Sequence, residues 1–168
     1  INIKPDYADA YNNMANALKN LNKLKDAILA YEKALNIKPD CAEIYYNMGG
    51  ALKELGKLEE AINAFDSATS LKPNYIEAYN NKANALREQG RLDAALEIYG
   101  KLLHLKPDFA EGYNNLGTTL KEQGKLEEAL EAYNTALSLK PDYADVFVNI
   151  ANTFELQSRS NEAIEFYN

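Results

Sequence analysis

The sequence predicts an all-α protein made of stacked helix pairs, and three observations predict it. First, the five prolines, Pro5, Pro39, Pro73, Pro107 and Pro141, stand 34 residues apart without an insertion. Each follows a lysine and precedes Asp or Asn. Second, an aromatic stands six residues beyond each proline (Tyr11, Tyr45, Tyr79, Tyr113, Phe147). An alanine column (Ala27, Ala61, Ala95, Ala129, Ala163) is followed four residues on by Tyr31, Phe65, Tyr99, Tyr133 and Tyr167. Third, apolar residues inside each period recur at helical spacing. A fixed period of this length marks a linear array in which each unit buries its apolar face against a neighbour.

One period reads as two helices. From Ala42 to Leu55, turning about 100° per residue, Ile44, Tyr45, Met48, Gly49, Ala51, Leu52 and Leu55 share one side. Glu43, Tyr46, Asn47, Gly50, Lys53 and Glu54 fill the remaining polar arc. Asp40 with Glu43, and Asp108 with Glu111, have the spacing of a capping box. Gly56, Gly90 and Gly124 end the first helix with a left-handed residue, and Asn22 is the next-best choice in that place. The fifth period has Ser158 there, so its last helix is expected to fray. The second helix runs from about Leu58 to Leu71 and stops because Lys-Pro disfavours helical geometry before the ring. Gly49, Ala61 and Ala68 mark close helix approaches.

Several residues depart from their columns. Lys82 stands among Met14, Met48, Leu116 and Ile150, where a lysine lays its methylenes on apolar neighbours and carries its ammonium to water. Leu102 stands where other periods have alanine, and Gly100 lies inside a second helix, so the third repeat is expected to pack differently. Cys41 replaces an aromatic (Tyr7, Tyr75, Phe109, Tyr143) and reads as a half-buried packing residue, whereas His104 reads as outer surface.

Composition removes several functions. The 168 residues carry 18 Lys+Arg against 25 Asp+Glu, a net charge of −7, so no basic excess exists to neutralise nucleic-acid phosphates or an anionic lipid surface. No apolar run approaches the roughly 18 residues that span a bilayer. One cysteine and one histidine exclude a disulfide framework and most clustered metal sites. There is no glycine-rich phosphate loop, no His-Glu-x-x-His, and no histidine partner for Cys41 or a serine nucleophile. Catalytic, cofactor-binding and metal residues are therefore all expected to be absent. The compartment is left open, with an intracellular (cytoplasmic) one favoured.

These columns (aromatic, Met48-Gly49 or Leu116-Gly117, Ala, aromatic, Ala, Pro) resemble the tetratricopeptide repeat (TPR), a 34-residue helix-turn-helix unit, over essentially the whole chain. The resemblance implies a right-handed α-α superhelix, a solenoid whose first helices line a concave groove. In this register residues 1–6 end a preceding repeat, and repeats follow at 7–40, 41–74, 75–108, 109–142 and 143–168, the last truncated in its second helix.

The most informative polar column is Asn13, Asn47, Asn81, Asn115 and Asn149. Asparagine is a poor helix former, so five on one face want a reason beyond helix stability. Its amide offers a donor and an acceptor together, which suits contact with a peptide group. The expectation is a ladder that holds an extended peptide by its backbone, widened by the neighbouring column Asn16, Gly50, Asn84, Thr118 and Asn152. The acidic column Asp9, Glu43, Glu77, Glu111 and Asp145 fits capping and the helix dipole. The basic column Lys19, Lys53, Arg87 and Lys121 reads as solvated surface.

The leading functional reading is a scaffold binding a protein or peptide in extended form. The Ala-Tyr-Asn-Asn pattern of Ala10 to Asn16 and Ala78 to Asn84 is similar to repeats of O-linked N-acetylglucosamine transferases, which implies a substrate-recognition arm of a larger enzyme as the alternative. A third reading is a self-assembling spacer. Ile1 to Lys4 match the last turn of a second helix, and the chain stops two residues short of five periods, so head-to-tail association through uncapped ends is expected. The co-chaperone branch of the family grips terminal carboxylates with concave lysine and arginine. Acids and asparagines at those positions predict no useful affinity for acidic chaperone tails.

Overall fold

The computed structural model describes residues 6–167. The assignment of Ile1 to Lys4 to a preceding helix lies outside them. Among the described residues every regular element is helical: α1 (Asp6–Asn20), α2 (Leu24–Ile37), α3 (Ala42–Glu54), α4 (Leu58–Leu71), α5 (Ile76–Glu88) and α6 (Leu92–Leu105), with α1 packed on α2 and α3 on α4. The array continues with α7 (Ala110–Glu122), α8 (Leu126–Leu139), α9 (Ala144–Leu156) and α10 (Ser160–Tyr167). No helix among them is long and apolar enough to cross a membrane.

The chain divides into two compact units, one closing at Gln89 and the other opening at Gly90. Inside the first unit the backbones of α1 and α3, and of α3 and α5, come close, whereas those of α2 and α4 stay farther apart. First helices therefore lie side by side on an inner face, with second helices spread behind them. In the second unit α7 and α9 repeat this adjacency.

Small residues let the helices of a pair close. A Cβ added to Gly49 would lie 2.7 Å from the ring of Phe65, and one added to Gly117 would lie 2.7 Å from the ring of Tyr133. Both rings are fully buried. The third repeat departs as its sequence suggests: Leu102 is fully buried, and a Cβ on Gly112 would come within 2.9 Å of its Cδ2. Cys41 is half-buried against the first core cluster, and His104 is exposed.

Two local expectations are corrected. Helices α3 and α7 start one residue later than a capping box on Asp40 or Asp108 requires. Their N-caps are Cys41 and Phe109, neither of which makes a side-chain cap hydrogen bond. Where the N-cap place holds an aromatic, as at Tyr75, Phe109 and Tyr143, the lysine before proline sets its ammonium over that ring, whereas α3 has Cys41 there and no ring. Lys72 lies 4.2 Å from the Tyr75 ring, Lys106 5.3 Å from Phe109 and Lys140 4.6 Å from Tyr143. Lys82 does not reach for water. Its side chain is 15% exposed and its ammonium pairs with the Asp66 carboxylate on α4.

The turns behave as their residues dictate. Gly56, Gly90 and Gly124 take φ of 79°, 74° and 79°, Asn22 takes 58°, and Ser158 takes 60°. A side-chain-bearing residue in this region costs roughly 1–2 kcal/mol, and glycine pays far less. Ser158→Gly should therefore stabilise the α9–α10 pair by about 1 kcal/mol, read as slower amide hydrogen exchange in α10. Unchanged or faster exchange would contradict the strain argument.

Candidate functional site: the inner face of the first helices

In each unit the asparagine column lies on the first helices, and the side chains of Asn47, Asn81 and Asn149 reach back to the repeat before them. Asn47 Nδ2 donates to Asn12 Oδ1 at 3.2 Å, and Asn81 Nδ2 donates to the Tyr46 hydroxyl at 3.2 Å. In the second unit Asn149 Nδ2 donates to Asn114 Oδ1 at 2.9 Å, and Lys121 Nζ donates to Asn149 Oδ1 at 3.5 Å. The acceptors Asn12 and Asn114 are buried, so these bonds satisfy carbonyls that water does not reach freely. Asn13 is exposed, and Asn115 is half-buried on α7. The column is thus first a set of braces between successive first helices. An amide has two N–H donors and two lone pairs, so Asn47 and Asn81 each keep one N–H and the carbonyl oxygen for a ligand.

The neighbouring column has a duty that sequence reading missed. Asn16 Oδ1 accepts from the buried Tyr31 hydroxyl at 2.6 Å, and Thr118 Oγ1 accepts from the buried Tyr133 hydroxyl at 3.2 Å. Phe65 has no hydroxyl, and the residue in the matching place is Gly50. Asn84 and Asn152 are half-buried at the same turn of α5 and α9.

The basic column is not a free solvated surface. Lys19 pairs with Glu54 at 3.1 Å and Lys53 with Glu88 at 3.0 Å, each crossing from one first helix to the next. Exposed pairs of this kind contribute about 0–1 kcal/mol each. Their larger effect is to neutralise the face. Together with Tyr46, Asn47, Gly50 and Asn81 they line a cleft of about 280 Å³.

Behind this cleft Tyr46 packs on Tyr75, ring centroids 5.0 Å apart, and on Phe65 at 6.1 Å. Burial first, then the facing Tyr46, Glu43, Glu77 and Cys41, push the Tyr75 hydroxyl up to about 12. Burial likewise raises Tyr143, with Glu111 and Asp145 adding to it. Both hydroxyls stay neutral at ordinary pH and act as packing surface. The acidic column Asp9, Glu43, Glu77, Glu111 and Asp145 is exposed at the edge of the face. Among the described residues no group of three or more His, Cys, Asp or Glu is arranged to hold a metal ion.

A family model described as TPR repeat matches residues 15–56, 49–86, 83–124 and 117–158. The chain belongs to the tetratricopeptide repeat family. Among solved structures, this TPR chain is similar to MamA from Desulfovibrio magneticus RS-1. The TM-score is 0.88 at 23% identity, over 96% of this chain and 92% of that one. It is similar to YrrB, described as a TPR protein with an unusual peptide-binding site, at TM-score 0.74 and 26% identity, over 93% of this chain and 80% of that one. PilF of Pseudomonas aeruginosa gives TM-score 0.83 at 20% identity, over 96% of this chain and 74% of that one. The MamA and PilF likenesses speak to fold. No curated protein matches in a sequence search.

Proposed function

We propose that this TPR chain is a protein-interaction scaffold that holds an extended peptide or partner segment along its first helices through the asparagine column. The observation that carries this reading is the half-used amide. A bond to the preceding repeat fixes the rotamers of Asn47 and Asn81, and each keeps one donor and one acceptor at the open cleft. Pre-organised groups of this kind lower the entropy a ligand must lose on binding. The description of YrrB as peptide-binding agrees with the reading. Adjacent first helices lie about 8–10 Å apart and an extended chain advances about 3.3 Å per residue, so one asparagine would serve roughly three ligand residues.

The paired lysines give the ligand little reason to be charged. Lys19 and Lys53 already hold Glu54 and Glu88, so a terminal carboxylate would have to displace an internal partner. The narrower reading, a substrate-presenting arm like that of an O-linked glycosyltransferase, rests on the Ala-Tyr-Asn-Asn pattern alone. Sequencing of the full reading frame decides that point.

The test uses a panel of 15-residue unstructured peptides and fluorescence anisotropy. In a triple Asn47→Ala, Asn81→Ala, Asn115→Ala variant, each substitution should weaken the best binder by about 1 kcal/mol. Loss of the brace to Asn12 also lowers melting temperature, so affinity is compared well below the transition. Unchanged affinity in the triple variant refutes the ladder.

A further inference from the structure

Three junctions between repeats carry the same polar latch. The glutamine that closes a first helix donates to a carboxylate in the first turn of the second helix before it, thirty residues earlier. Gln89 Nε2 reaches Glu59 at 3.1 Å, Gln123 reaches Asp93 at 2.6 Å and Gln157 reaches Glu127 at 2.9 Å. The junction between the first two repeats has no such latch. Leu55 stands in the glutamine's place and Lys25 in the carboxylate's. Two clefts of about 510 and 300 Å³ adjoin at Lys25 and Leu55.

The chemistry of this opening differs from that of the inner face. Its floor is aliphatic: Leu24, Ile28, Leu29 and Leu55. Leu29 is 56% exposed, although its column is otherwise polar or charged (Asn63, Glu97, Glu131). Its rim carries Lys23 and Lys25, which have no carboxylate in ion-pair reach among the described residues, while nearby Lys57 is held by Glu60 at 2.8 Å. Asp26 and Glu32 also line the opening, so with Lys57 held by Glu60 the rim is mixed and balanced, and Lys25 is the charge that stands in the carboxylate's column. At the other junctions a carboxylate completes this spot. Here an unpaired ammonium waits in its position.

We propose that this cleft is a second protein-docking site, off the first-helix face, that takes a partner segment presenting a bulky aliphatic side chain beside a carboxylate. The aliphatic group fills the space between Leu29 and Leu55, as central anchors of interfaces do. The carboxylate meets Lys25 and Lys23 and supplies in trans what Glu59, Asp93 and Glu127 supply in cis. The site stands independently of the asparagine column, because none of its residues lines the inner cleft.

The probe is a helical peptide with two leucines one turn apart flanked by glutamates, titrated into ¹⁵N-labelled chain and followed by amide chemical shifts. Shifts are expected over residues 22–32 and 55–60 and not at Asn47 or Asn81. The double variant Leu55→Gln with Lys25→Glu installs the latch of the other junctions. It should raise the melting temperature and weaken the probe by at least about tenfold, roughly 1.4 kcal/mol. A control peptide with lysine for glutamate should bind less well than the probe. The proposal is overturned by an absence of shifts, by equal binding of the lysine control, or by a double variant that is stabilised but binds the probe unchanged. That last outcome would make Leu55 and Lys25 a structural variation only.

Discussion

Leu102→Ala should be among the most damaging single substitutions in this chain, costing about 2–5 kcal/mol. The side chain is fully buried and fills space that no other repeat has to fill in this way. Ten residues apart, the chain pairs Ala34 with Ile44, Ala68 with Ala78, Ala136 with Val146, and Leu102 with Gly112. Gly112 provides the room. A Cβ there would meet Leu102 Cδ2 at 2.9 Å, Leu103 Cδ2 at 3.0 Å and Phe109 Cδ1 at 2.8 Å. Gly112→Val alone should therefore overpack the junction by about 1–3 kcal/mol, less a gain of up to about 1 kcal/mol in helix propensity. Made together, Leu102→Ala and Gly112→Val reproduce the Ala136/Val146 pairing and should come within about 1.5 kcal/mol of the parent, as volume-conserving swaps do. Urea denaturation of the parent, both single variants and the double gives the coupling energy directly. Additive effects would show that the two positions do not share one space. Because repeats unfold in units, the loss should fall on the transition of the second unit.

How much of this was legible follows from where the information sits relative to the period. Helix pairs, their turns and the core face were readable because 34-residue columns report what each residue does within its own unit. The contacts between units run at other offsets. Asn12 with Asn47, Asn114 with Asn149, Lys19 with Glu54 and Lys53 with Glu88 are each 35 residues apart, one more than the period. The glutamine latches are 30 apart. Reading columns alone made the basic column look solvated and the asparagines look wholly available. Pairing each column with its neighbour one repeat on would have exposed both braces. The Lys-Pro column was visible but unexplained in sequence, since the lysine's role depends on a ring three residues ahead that only a helix start brings beneath it. The capping-box reading failed because the residue after each aspartate, Cys41 in α3 and Phe109 in α7, takes the N-cap position.

The chain also contains a natural experiment on buried hydroxyls, and it sets the second large expectation. Tyr31 is fully buried and donates to Asn16 Oδ1 at 2.6 Å. Asn16→Ala leaves that hydroxyl without an acceptor where water cannot enter, and should cost about 1–3 kcal/mol. Tyr31→Phe should cost less, because Asn16 is half-exposed and can turn its amide to water. The second repeat already dispenses with both partners, having Phe65 opposite Gly50. The double variant Tyr31→Phe with Asn16→Ala should accordingly recover most of the loss, since removing both partners is close to neutral. The same hydroxyl gives a pH signature. Burial first, and the Glu54 carboxylate second, push the Tyr31 hydroxyl from 10.0 to about 12. Below pH 10 the group is neutral folded and unfolded, so its contribution is fully present and constant. Between pH 10 and about 12 the unfolded chain alone ionises, and stability falls as pH rises. Tyr31→Phe should flatten part of that alkaline decline, measured as melting temperature against pH, while Asn16→Ala should not. If the single Asn16→Ala variant is as stable as the parent, or if the double variant is no better than it, Asn16 is not the partner on which the buried hydroxyl depends.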